Sequence, residues 1–296
     1  MKHSLSKVSV ALGLVASAVS FNAAQAASLV GLQGGSKIGV FESSNAAAAS
    51  FIDITGLSAG EKLLGIDLRP SNNTLYGISS ASNLYTIDAY TGAATLVAGL
   101  TGYSVNQSLG YGVDFNPVAD GSKAVPAPAS LRVVSSAGDN LAVNANTGAV
   151  GNAANKIAEG YSAVAYSNSD PNSVATATQL YYLNSLTDTL HKASANFNTP
   201  EISLIGALGI DILRANGFEL FGDGSAFAAV DLDDGVGIVS QLLSIDLLTG
   251  KASVIGAFGA SLNGLAAAPS AVPVPAAAWL FGTALIGFAG FRRKSV

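Results

Sequence analysis

A short motif of the form Gly-apolar-Asp-apolar-x-Pro sits in LLGIDLRPSNNTLYGIS (63–79) and again in GYGVDFNPVADGSKAVPAPASLRVVSS (110–136). Looser versions are YSAVAYSNSDP (161–171) and NGFELFGDGSAFAAV (216–230). Their starting points, Gly65, Gly112, Ser162 and Gly217, are 47, 50 and 55 residues apart. A unit that returns every 40–50 residues must be one supersecondary element that buries its apolar faces against copies of itself. Few folds satisfy that requirement.

A second repeat follows each copy of the first. NLYTIDAYTGAATLVAGL (83–100) reappears as QLLSIDLLTGKASVIGAFG (241–259), and more weakly at 140–152, 179–194 and 37–57. Most copies are an alternating strand, a turn at Thr-Gly, Thr-Asp or Ser-Asn, and a second strand. Alternation with period two marks half-buried strands, and the Asp-to-Gly stretches 88–92 and 246–250 supply turn chemistry. No window in 28–270 keeps a 3.6-residue apolar period for three turns, which excludes long helices. The Ala-rich runs 46–49 and 151–158 read as short helical turns or loops.

Two hairpins per repeat give four strands, the make-up of a propeller blade. The last copy, LNGLAAAP (262–269), is a first strand with no blade behind it, whereas SLVGLQGGSKIGVFESS (28–44) has the later strands and lacks the first. Joining the two ends completes a blade and leaves no open edge. The expected fold is all-β: a five-bladed β-propeller with terminal strand closure over residues 27–270. A β-sandwich and an open solenoid are the rival architectures. Glycine in most of the first strands fits crowding around a central axis.

Composition narrows the chemistry. The chain has no cysteine, which excludes disulfides, zinc–thiolate sites and thiol nucleophiles. Charged residues are only 11%, so Ser, Thr, Asn and Gly must supply the polar surface. Five of the 14 basic residues lie at the ends (Lys2, Lys7, Arg292, Arg293, Lys294) and all 19 acidic residues between them. The middle therefore carries nine positive and 19 negative charges, which disfavours nucleic acid as a partner.

Three acids occupy matching places two residues after the motif glycine: Asp67, Asp114 and Glu219. The same place holds Val164 in the copy starting at Ser162 and Ala266 in the closing strand. If carboxylates ring one level of the axis, they bind a cation, act as acid and base, or cap main-chain amides between blades. The capping role is the one recurrence in a repeat favours. Asp231, Asp233 and Asp234, ahead of Gly235, resemble part of a calcium loop, without a further oxygen ligand or distal Glu; a plain acidic turn is the simpler reading. Tyr76, Tyr85, Tyr103 and Tyr111 are either a sugar-stacking face or core. His191 is the histidine left once His3 is removed, so a Ser-His-Asp triad would have to use it. The sequence has no phosphate loop, and GLQGGSKIG (31–39) precedes a strand, not a helix.

The ends read as addresses. A basic n-region, an apolar run from Val8 to Phe21 and Ala24-Gln25-Ala26 predict a signal peptide over 1–26, removed by signal peptidase. At 271–296 an apolar stretch from Ala276 to Phe291 precedes Arg292, Arg293 and Lys294. It reads as a short transmembrane helix with a cytoplasmic basic stop and Trp279 at an interface.

Val272, Pro273, Pro275, Ala276, Trp279 and the basic cluster together resemble the PEP-CTERM group of sorting signals, nearest the Val-Pro-Leu-Pro-Ala variant, with Val274 in place of Leu. The resemblance implies handling by an exosortase-type membrane transpeptidase in a Gram-negative bacterium that makes extracellular polysaccharide. It also implies membrane insertion before processing, then a cell-surface or matrix location. Residues 28–268 resemble the bacterial family called domain of unknown function 4394, through LLGIDLRPSNNTLYGI, GVDFNP and LRVVSSAGDNLAVNANTG. That family carries no assigned activity.

The leading reading is an exported, non-enzymatic binding or matrix-associated propeller with no cofactor, partnered by extracellular polysaccharide or matrix protein. One alternative is a polysaccharide hydrolase or lyase working at the axial face through Asp67, Asp114 or Glu219. Another is a calcium-stabilised adhesion module using Asp231, Asp233 and Asp234.

Overall fold

Strand-forming segments, most of five to eight residues, alternate with Gly, Asn and Asp turns along most of the chain, and they pair into four-stranded sheets. The computed structural model describes residues 26–120, 130–170 and 175–270. The expected leader up to residue 25, the sorting segment 271–296 and most of the 118–130 insertion lie outside the described residues. Among the described residues no helix is long and apolar enough to cross a membrane.

Blade I takes β1 (Ser28–Gln33), β2 (Lys37–Glu42) and β3 (Ile52–Asp53); blade II takes β4 (Leu63–Arg69), β5 (Thr74–Ser79), β6 (Asn83–Ile87) and β7 (Ala94–Gly99). Blade III is β8 (Tyr111–Phe115), β9 (Ser130–Ser135), β10 (Asn140–Asn144) and β11 (Val150–Gly151). Blade IV is β12 (Tyr161–Tyr166), β13 (Leu180–Asn184), β14 (Thr189–Ala193) and β15 (Ile202–Ala207). Blade V is β16 (Arg214–Leu220), β17 (Ala226–Asp233), β18 (Ile238–Ile245) and β19 (Ala252–Phe258). The last strand, β20 (Leu262–Ala267), pairs antiparallel with β1 and becomes the innermost strand of blade I. The protein is thus a five-bladed propeller closed by its two ends, with every blade a four-stranded antiparallel meander.

The core is divided among the blade-to-blade interfaces. Five buried apolar clusters lie among the described residues, one at each interface: Val30, Leu32 and Ile66 between blades I and II, for example, and Leu29, Phe41 and Phe258 between V and I. The innermost strands are therefore buried on both faces. β8 and β12 are buried at every residue. The outermost strands β7 and β15 keep an exposed face.

Glycine recurs in the first strand because adjacent innermost strands touch. A Cβ on Gly217 would lie 2.4 Å from the main-chain nitrogen of Leu265, and one on Gly112 would lie 2.8 Å from Cα of Ala163. The Thr-Gly turns have a second role. Thr55 donates its N–H to Gly92 O and accepts from Ala94, and Thr101 does the same with Gly148 and Val150. The end of one blade is thereby latched to the outer turn of the next. Gly92 and Gly148 both have positive φ, and a Cβ on either would sit 2.3 Å from a carbonyl oxygen of the preceding blade.

Two details of the expected register change. The segment 179–194 forms the second and third strands of blade IV, not the outer hairpin; the outer strand is β15. Ala165, not Val164, occupies the axial place of the copy starting at Ser162. β12 bulges between Tyr161 and Ala163, and Tyr166 pairs with Leu180 as Phe115 pairs with Leu131. β4 and β16 bulge at the corresponding place, just before Gly65 and Gly217, so Ala163, not Ser162, is the counterpart of the motif glycine and Ala165 lies two residues after it.

Candidate axial site

Asp67, Asp114 and Glu219 come from β4, β8 and β16, and Ala165 and Ala266 complete their level in β12 and β20. The three acids are buried, and one oxygen of each lies within 4.8 Å of the others. Each also reaches forward to the next blade. Asp67 Oδ2 accepts the N–H of Phe115 at 2.6 Å, Asp114 Oδ1 that of Tyr166 at 3.1 Å, and Glu219 Oε2 that of Ala267 at 2.9 Å. One oxygen of every acid is therefore committed to holding the neighbouring innermost strand.

Burial raises the pKa of all three, because a charged carboxylate loses its hydration there. Burial is the largest cause for Asp67, followed by repulsion from Glu219; for Asp114 it is followed by repulsion from Asp67 and Glu219. Glu219 is pushed up to about 7 by burial, against the amides of Ala267 and Leu220 and the Asp67 hydrogen bond, which pull it down. A proton shared between Asp67 and Glu219 satisfies the oxygens that face each other. Among the described residues this is the cluster whose spacing suits a cation. One oxygen of each acid in it is already taken by a main-chain amide of the next blade.

Asp231, Asp233 and Asp234 do not converge. β17 runs on to Asp233, so Asp231 is buried against Arg214 at 3.2 Å and accepts from Ser261 Oγ at 2.8 Å. Asp233 turns back to accept from Gly235, and Asp234 accepts from Val236 and Gly237. The loop is an acidic hairpin turn, and no carboxylates gather there among the described residues.

Tyr76, Tyr85 and Tyr111 are buried core residues, not a stacking face. Tyr85 donates to Glu61 at 2.7 Å and Tyr103 to Asp139 at 2.7 Å. His191, on β14, has Nε2 2.8 Å from Thr189 Oγ1 and its ring edge-on to Tyr161. Burial lowers its pKa. Its recorded partners are a hydroxyl and an aromatic ring, and neither supplies the carboxylate of a triad.

Sequence reasoning missed three polar nodes. Glu61 gathers Ser79, Asn83 and Tyr85. Asp139 gathers Ser135, Tyr103 and Lys156. Buried Arg69 meets Asp120 at 2.7 Å, with Ser71 N donating to the second oxygen at 2.9 Å. Arg69 belongs to the motif Asp-x-Arg-Pro, the one signal that pointed to it.

Two cavities adjoin the ring. One, of about 200 Å³, opens at the end of the axis where the innermost strands begin, and is lined by Gln107, Arg214, Asn216, Asp231, Ser261 and Asn263 among others. The other, of about 470 Å³, lies beside blade II where the chain leaves β20. There Asn73 exchanges two hydrogen bonds with Ser270, and Tyr90 donates to Pro269 O at 3.0 Å.

No curated protein matches the chain. Among solved structures, it is similar to a protein of unknown function from Bacteroides thetaiotaomicron VPI-5482. They share 13% identity and a TM-score of 0.45, over 78% of this chain and 58% of that one. It is also similar to regucalcin, a calcium-binding protein from Agrobacterium tumefaciens str. C58, at 14% identity and a TM-score of 0.38 over 76% and 68% of the two chains. The chain thus spans a little over half the length of the first of these structures. The match that identifies it covers residues 37–266, and by it the chain belongs to the family described as Domain of unknown function (DUF4394).

Proposed function

We propose that the protein is an exported, non-enzymatic propeller that serves as a binding or matrix-associated module at the surface of a Gram-negative bacterium. The observation that carries the non-enzymatic part is the commitment of Asp67, Asp114 and Glu219. Each is buried and each accepts a main-chain N–H from the next blade. A general acid or base must reach its substrate within hydrogen-bond distance or through one water, and these groups face one another inside the ring. Their recurrence matches a structural tie repeated from blade to blade.

The export part rests on the signal-peptide pattern ending at Ala24-Gln25-Ala26. The sorting part rests on the resemblance of Val272, Pro273, Pro275, Ala276, Trp279 and Arg292 to Lys294 to a PEP-CTERM signal. In this reading an exosortase-type enzyme processes the tail after the ring has closed. Extracellular polysaccharide or matrix protein is the partner, and no cofactor takes part.

Expression of the full chain and of a Pro273→Ala/Pro275→Ala variant in a host with an exosortase system tests the address. The parent should appear in the surface or matrix fraction with a shortened C-terminus, and the variant should stay with the membrane. Equal distribution of the two would contradict the proposal.

A further inference from the structure

The smaller cavity holds a set of groups that the ring itself does not use. Asn216, in the first half of β16, has its Nδ2 buried without a hydrogen-bond partner. A buried amide donor left unmatched is unfavourable relative to a satisfied one, so something that accepts a hydrogen bond at this spot stabilises the site. Asn263 stands at the corresponding place in β20, one residue before Gly264 as Asn216 is one residue before Gly217. Gln107 approaches from the loop ahead of β8. Beside them Asp231, buried, is paired with the half-exposed guanidinium of Arg214 and with Ser261.

This arrangement selects its ligand by chemistry. Three side-chain amides each offer donors and an acceptor, which suits hydroxyl groups that do the same. The one charge of each sign is already paired, so the cavity has no unbalanced charge for an ion to neutralise. The acidic balance of the middle of the chain opposes a polyanion. At about 200 Å³ the space is smaller than the 300–1,000 Å³ of pockets for drug-sized molecules, and so suits a single ring. We propose that the axial mouth binds one neutral sugar unit, such as the exposed end or a branch of an extracellular polysaccharide, through Asn216, Asn263 and Gln107. The proposal rests on the reading of the protein as a binding module and assigns that module its contact.

Ligand-observed saturation-transfer NMR and titration calorimetry on the full chain test it. The probes are methyl glucoside, methyl galactoside, methyl mannoside, N-acetylglucosamine and galacturonate. At least one neutral glycoside should bind, and Asn216→Ala and Asn263→Ala should each weaken it about 10-fold while melting stays cooperative. Asn216→Gln, which keeps the amide, separates contact loss from misfolding: binding should fall while the fold is kept. Galacturonate binding more tightly than every neutral glycoside would overturn the proposal, as would neutral binding that all three variants leave unchanged. If polysaccharide binds the wild type and the Asn216→Ala protein equally, the pocket assignment falls and the binding-module reading stands. If no glycan binds the wild type and the matrix fraction lacks the protein, both fall.

Discussion

Glu219 Oε2 accepts the main-chain N–H of Ala267, and so ties the innermost strand of blade V to the strand that the far end of the chain adds to blade I. The same oxygen-to-amide tie runs from Asp67 to Phe115 and from Asp114 to Tyr166. Replacing Glu219 with Ala leaves the Ala267 N–H without its acceptor and opens space beside the axis. The expected loss is about 1–3 kcal/mol, read from the midpoint of urea unfolding. Glu219→Gln keeps an acceptor oxygen and should lose less.

Stability should fall as pH rises through neutrality. Glu219 ionises near 4.5 when unfolded and near 7 when folded, so the folded state holds the extra proton between these values. The contribution is fully present below about pH 4.5 and is lost as pH rises through about 7, on the order of 3 kcal/mol. Asp67 and Asp114 shift in the same direction. Glu61 and Asp139 are lowered by their hydrogen-bond partners and act oppositely: their contribution is lost as pH falls through the carboxylate range. Unfolding free energy measured from about pH 5 to about pH 8 should decline, and Glu219→Gln should flatten the slope. A rise over that range would contradict the buried-acid account.

Gly217→Ala pushes a methyl group into the backbone of β20, 2.4 Å from Leu265 N. A neighbour that is main chain of a closing strand cannot move without opening the ring. The expected cost is at least the 1–3 kcal/mol typical of overpacking. Gly237→Ala, where a Cβ meets nothing within 4 Å, should stay within about 0.5 kcal/mol of the parent. Thermal melts of the two variants side by side make the comparison.

Asp120→Ala strands the Arg69 guanidinium, which is 6% exposed. Breaking a buried pair by removing one partner costs about 3–5 kcal/mol. The double variant Arg69→Met/Asp120→Ala should recover part of that loss, because the unpaired charge is gone. Equal losses in single and double variants, read by urea unfolding, would show that Arg69 is held chiefly by Asn146 and Tyr76.

Architecture was legible because each blade repeats its own chemistry. The split ends, 28–44 lacking a first strand and 262–269 being one, announced the closure, and glycine ahead of each acid announced the crowding at the axis. Phase within blade IV was not legible. QLYYLN (179–184) resembles an outer hairpin strand as closely as it resembles the second strand NTLYGIS (73–79), since both alternate and both end near Asn or Ser. SLIGALG (203–209), close to SVIGAFG (253–259), is the copy that marks the true outer strand. Counting from Ser162 puts the copy one residue out of phase, because Ala163 stands where the other copies have glycine and no glycine marks the place. Asp231 was grouped with Asp233 and Asp234 because they are neighbours in sequence; the strand that carries Asp231 inward separates them. Glu61 and Asp139 sit in loops and turns and Asp120 ends a one-turn helix (Pro117–Asp120), where the strand period carries no signal, and their partners lie from 4 to 51 residues away.

The most direct test asks whether the axial acids are ties or reactants. The full chain and its Asp67→Asn/Asp114→Asn variant are incubated with neutral and acidic polysaccharides. Released reducing ends report hydrolysis and unsaturated products report lyase chemistry, with melting temperature recorded alongside. The account predicts no cleavage by either protein and a shifted melting temperature in the variant. Cleavage by the wild type that disappears in a variant still folded would contradict it.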